Sequence, residues 1–128
     1  MLQKFRHNKI YYDLQKLYKL YWNQHKHLSK AFRFTTGEQI LNELTQAIRL
    51  SVLANLQGKS RSSHAKAIEY LFELSAILET VESLLILAWE LRLLSHGGLA
   101  LLSEQIGHIQ RQVAGWRCSS ALYTVERI

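Results

Sequence analysis

The chain has 128 residues, 48% of them apolar, with 16 Lys and Arg against 10 Asp and Glu and a formal net charge of +6. That length supports one core and not two, and that apolar content excludes a disordered chain, so residues 1–128 are expected to form a single domain. Its single cysteine excludes an internal disulfide and points to a reducing compartment. No apolar stretch of signal-peptide length follows the basic start, and no run reaches the roughly 18 apolar residues of a membrane span, so the expected location is cytoplasmic. The absence of proline, only six glycines and the wealth of Leu, Gln, Glu, Lys and Ala favour long helices and an all-α class.

Helix 1 is expected over residues 6–29. Up to Lys30 the chain carries seven basic residues (Lys4, Arg6, Lys9, Lys16, Lys19, Lys26 and Lys30) against Asp13 alone, so this segment holds a charge equal to the whole chain's excess. At helical spacing Lys9, Lys16, Lys19, Lys26 and Lys30 fall within a sector of roughly 100°, opposite Ile10, Leu14, Leu17, Tyr21 and Leu28. One side therefore faces the core and the other is cationic. Such a stripe fits a polyanion such as nucleic acid, or serves as a solvated face that keeps the protein soluble. Tyr11, Tyr18 and Trp22 border the stripe, where they either stack on unpaired bases or pack against neighbouring helices.

A turn is expected at residues 32–37, with Thr35–Glu38 or Thr36–Gln39 as the capping box of helix 2, residues 36–56. Its core positions are Ile40, Leu41, Leu44, Ala47, Ile48, Ser51 and Asn55. The segment from Gly58 to His64 is a polar, basic connection that ends helix 2 and supplies an N-cap serine. Its Lys59 and Arg61, with Lys66 just beyond, extend the candidate nucleic-acid contacts.

Helix 3 is expected over residues 63–94 and changes character along its length. Ile68, Leu71, Phe72 and Leu78 oppose Glu69, Glu73 and Glu79 in its first half, but nine of the eleven residues from Leu84 to Leu94 are apolar. A helix that is apolar all round must be covered all round. Leu84, Leu87, Trp89, Leu91 and Leu94 are therefore the candidate oligomer interface, the alternative being a helix central to one bundle.

The His96-Gly97-Gly98 segment is expected to break the chain before helix 4, residues 98–116, whose Leu99, Leu102, Ile106, Ile109, Val113 and Trp116 make a narrow bundle seam. Gly107 and Gly115 lie inside it, each about 1 kcal/mol worse than Ala, so close backbone approach to a neighbouring helix is expected at both. Residues 117–128 form a tail of no assigned structure. Four helices with short connections predict an antiparallel up-down-up-down four-helix bundle.

No catalytic, metal or cofactor constellation is expected. No Glu-x-x-His pair recurs, Glu104 and His108 stand alone on helix 4, and His25 and His27 project about 200° apart. Helical ribonucleases of the HEPN type use an Arg followed four to six residues later by a His. Arg92 with His96 and Arg61 with His64 approach that pattern without matching it.

Three stretches carry a resemblance to a known family. They are Ala31-Phe32-Arg33-Phe34-Thr35-Thr36-Gly37-Glu38-Gln39-Ile40, the run from Leu78 to Leu91 containing Leu87-Ala88-Trp89-Glu90, and Ile106-Gly107 followed by Ala114-Gly115-Trp116. Over about residues 8–117 the chain resembles the Avd-like four-helix bundles, the accessory variability determinants of diversity-generating retroelements, which are similar to proteins encoded in intervening sequences of 23S rRNA genes. The resemblance implies a non-catalytic homopentamer that binds RNA or DNA and a reverse transcriptase during mutagenic copying. Five copies would raise +6 per chain to about +30. A structural protein-interaction module is the competing reading; it would hold a partner on the apolar half of helix 3.

Overall fold

The computed structural model describes residues 7–57 and 60–126, with side chains to 121 and without that of Arg61, and all its regular structure is helical. Helix α1, Lys9–His25, begins where the Asn8 side chain accepts a hydrogen bond from the Tyr11 N–H at 3.0 Å. Ile10, Leu14, Leu17 and Tyr21 are buried along one side. The helix stops four residues short of the expected end, and Leu28 reaches the core from the connection that follows.

No turn separates that connection from the body of the second helix, α2, which runs over residues 30–55. The Ser29 hydroxyl accepts the Phe32 N–H at 3.3 Å, and three abutting pieces follow: α-helical Lys30–Phe32, π-helical Arg33–Gly37 and α-helical Glu38–Asn55. The cap thus lies at Ser29, upstream of both threonines, and the Thr35 hydroxyl donates instead to the Ala31 carbonyl at 2.7 Å. The extra length between cap and core is absorbed as one wide π turn. Gly37 permits it, since a Cβ there would lie 2.9 Å from His25 Cε1 and 3.1 Å from the Phe32 carbonyl oxygen. Ile40, Leu44, Ala47, Leu50, Ser51 and Ala54 are buried, whereas Leu41, Ile48 and Asn55 are only half-buried.

Helix α3, Arg61–Glu90, is capped by Ser60, whose hydroxyl accepts the Ser63 N–H at 3.2 Å. Leu71, Leu74, Leu78, Val81, Leu85 and Ala88 form its core face, each such side chain stabilising the fold by about 1.5–3 kcal/mol for the larger ones. Phe72 departs from expectation: it lies outside, with the Arg117 guanidinium 5.3 Å from its ring centroid. The helix closes by a Schellman motif in which the Leu93 N–H donates to the Ala88 carbonyl and the Arg92 N–H to the Trp89 carbonyl, both at 2.9 Å. Arg92 occupies the left-handed position with φ of 62°. The break therefore belongs to residues 91–95.

Both glycines expected to make that break sit in the first turn of α4, His96–Glu126, where the Ser95 hydroxyl accepts the Gly98 N–H at 2.9 Å. Gly98 is pressed against Gln24, whose Oε1 would be 2.9 Å from an added Cβ. Helix α4 continues through residues expected to be an unassigned tail, as far as Glu126. Leu102, Ile106, Ile109 and Val113 are buried, with Leu99 and Trp116 packed at the seam's ends. Gly107 and Gly115 do not mark a close approach: an added Cβ would meet only Arg111 at 3.5 Å at the first and nothing within 4 Å at the second. Helix α1 packs on α2 and α4, and α3 packs on the same two, so four helices ring one core in an order compatible with an up-down bundle.

Candidate nucleic-acid interface

The lysines on the outer side of α1 differ in what surrounds them. Lys9 donates to Asp13 at 2.7 Å and lies 3.1 Å from His108 Nε2 on α4. Asp13 also accepts from Gln112 at 2.6 Å, while its backbone carbonyl accepts from Gln105 at 3.0 Å. Burial raises the Asp13 carboxyl, but hydrogen bonds from Lys9 and Gln112 and the charges of Lys9 and His108 outweigh it and hold the group below the usual value. This cluster ties α1 to α4 and engages Lys9 in structure.

Lys16, Lys19, Lys26 and Lys30 are exposed, and none of them forms an ion pair with a described residue. Lys16 shares a shallow hollow with Glu104, His108 and Arg111 of α4, which brings Arg111 into the basic face. Lys19 lines another hollow with Tyr18, Trp22 and Asn23. Lys26 follows the last residue of α1 and Lys30 stands at the start of α2, so the five lysines do not share one helix. Lys66 is exposed on α3 and paired with Glu69 at 3.4 Å. Lys59 and the Arg61 side chain lie outside the described residues.

The aromatic border resolves into two kinds of residue. Tyr11 is half-buried and stacked on His7 with ring centroids 3.8 Å apart, and Tyr18 packs against the core. Trp22 is 47% exposed, and so are two rings that periodicity did not single out, Tyr12 at 55% and Phe34 at 64%. Trp22 lies on His25 with centroids 5.6 Å apart and planes 19° from parallel. His25 is buried, bonded through Nδ1 to the Tyr21 hydroxyl at 3.0 Å, and burial followed by the Arg33 charge pushes its pKa below the ordinary histidine value. The indole thus rests on a ring that is itself fixed.

The second half of α3 presents a different surface. Leu85, Ala88 and Leu94 point into the core, Leu84 is half-buried, and Ile86, Leu87, Trp89 and Leu91 are exposed. Leu94 therefore leaves the candidate oligomer face and joins the fold's interior. Arg92 and Glu90 flank Trp89 in a shallow hollow, and His96 lies 6.1 Å from the Trp89 ring in a tilted arrangement.

Among the described residues no group of three or more His, Cys, Asp or Glu is placed to hold a metal ion, and no helix is long and apolar enough to cross a membrane. No family model, no curated protein and no solved structure matches this chain.

Proposed function

We propose that this chain is a non-catalytic nucleic-acid-binding protein that assembles with copies of itself, an Avd-like antiparallel up-down-up-down bundle serving a reverse transcriptase that copies an RNA template in the cytoplasm. The observation that carries the proposal is the exposed set Lys16 and Lys19 on α1, Lys26 just after it and Lys30 at the start of α2, none in an ion pair with a described residue. Cations free of ion pairs can neutralise phosphates and so release the counterions condensed on a nucleic acid, and that release drives sequence-tolerant binding. The antiparallel arrangement is supported where α1 meets α4, because Gln24 lies against Gly98 while Asp13 bonds to Gln105 and Gln112.

Self-association rests on a separate observation, the exposed run Ile86, Leu87, Trp89 and Leu91. A second copy covers such a face more simply than water does, and a homopentamer is the state the family resemblance implies. The same face favours the competing reading of a protein-interaction module with no nucleic-acid role. The two separate in one experiment: retention of a labelled RNA oligomer measured across a salt series, with light scattering on the same sample. Binding that weakens steeply with salt, from a particle several times the monomer mass, supports the proposal. An equally large particle without salt-sensitive binding supports the interaction module. Turnover of the RNA that is lost in His96→Ala would instead revive the ribonuclease reading.

A further inference from the structure

Resting on that nucleic-acid reading, we infer that the basic face takes an unpaired strand, with bases stacking on Trp22 and Phe34. Each ring is more accessible than a packing role requires, and each stands beside cations. Lys19 lines the same hollow as Trp22. Lys30 Nζ lies 5.7 Å and the Arg33 guanidinium 5.9 Å from the Phe34 ring centroid.

The rings belong to one end of the molecule. Trp22 lies on His25, the His25 ring is against Gly37, and Phe34 sits in the same π turn as Gly37. Phe34 projects outward where Phe32 two residues earlier is buried, the opposite-side placement that helical geometry gives residues two apart. His25 holds the indole from behind, so little side-chain freedom is lost when a base meets its other side. A duplex keeps its base faces stacked inside and offers this surface phosphates alone. An unpaired strand offers both phosphates for the lysines and π faces for the rings, the combination found in sequence-tolerant single-strand binders.

The test compares a 15-nucleotide oligouridylate, the oligothymidylate of equal length and a blunt RNA duplex of equal length, by fluorescence anisotropy at one salt concentration. Wild type is expected to bind both single strands about tenfold tighter than the duplex. Phe34→Leu and Trp22→Leu should each weaken single-strand binding about tenfold and leave duplex binding unchanged. Phe34→Leu is the decisive variant because its ring contributes nothing to the core, and its melting temperature should equal wild type's. Equal affinity for strand and duplex, equal losses on both, or an unaffected Phe34→Leu would overturn the inference while leaving a basic nucleic-acid face standing. A loss confined to RNA or to DNA also contradicts stacking, which ignores the 2′-hydroxyl. If wild type binds none of the three probes, the broader nucleic-acid reading fails first, and this one with it.

Discussion

The outer side of α1 and the last turns of α3 both expose large apolar side chains, yet they do so in different company. On α1, Tyr12 and Trp22 are interleaved with Lys16, Lys19 and Asn23. At the end of α3, Ile86, Leu87 and Trp89 are exposed together with Leu91 just beyond it, and Glu90 and Arg92 share the hollow at Trp89. A ring among cations is matched by a ligand that is charged and aromatic, whereas a segment exposing several large apolar side chains is matched by another apolar surface. The difference teaches that exposure alone does not identify a partner; the charge around the exposed group does.

The largest expected effects come from the α3 side. On the proposed self-association, Leu87→Glu and Leu91→Glu should each leave only monomers, because an unpaired carboxylate in a subunit contact would cost several kcal/mol. Neither residue is buried within one copy, so both variants should keep the helical circular dichroism of wild type. Leu94 breaks the comparison if it is grouped with them. At 3% exposure it belongs to the core, so Leu94→Ala should lower stability by about 2–5 kcal/mol, measured by urea unfolding.

The glycines sharpen the contrast between positions under constraint and positions that are free. Gly37→Ala should destabilise the protein, since its new Cβ would press on the His25 ring and on the fixed Phe32 carbonyl. Gly115→Ala should stabilise it by up to about 1 kcal/mol, because a helix-interior Cβ there meets nothing. Arg92→Gly should likewise add about 1 kcal/mol by relieving a left-handed residue that bears a Cβ. Thermal melting reads all three, and a stabilising Gly37→Ala would contradict the packing described for the π turn.

A smaller effect follows from His25, the support beneath Trp22. Its folded pKa is depressed, so the unfolded chain binds its proton more readily and stability rises with pH between the two values. The contribution is complete above about pH 6.5, the ordinary histidine value, and is lost as pH falls through the lower folded value. His25→Gln should flatten that part of the stability profile.

Periodicity made much of this fold legible. Ile10, Leu14, Leu17 and Tyr21 on α1 and Leu102, Ile106, Ile109 and Val113 on α4 are buried as their spacing requires. The errors lie where local rules had substitutes. His96-Gly97-Gly98 has the composition of a break, but Arg92 takes the left-handed position and the two glycines lie in the first turn of a helix. Two threonines with acidic or amide partners resembled a capping box, but Ser29 caps earlier and a π turn absorbs the remainder. Of the candidate site, the lysines were readable because charge patterning needs no tertiary information. Phe34 was not, because residues 32–37 read as a turn, to which helical periodicity assigns no face, whereas the structure makes the segment helical.

The central claim is that the exposed α1 lysines bind nucleic acid by releasing its counterions, and the direct measurement is the slope of log K against log salt for a single-stranded RNA. Wild type should show a steep negative slope, and Lys16→Gln combined with Lys19→Gln should make it shallower by about 1.4 while weakening binding alike on unrelated sequences. An unchanged slope in the double variant, or a wild-type affinity indifferent to salt, would contradict the claim.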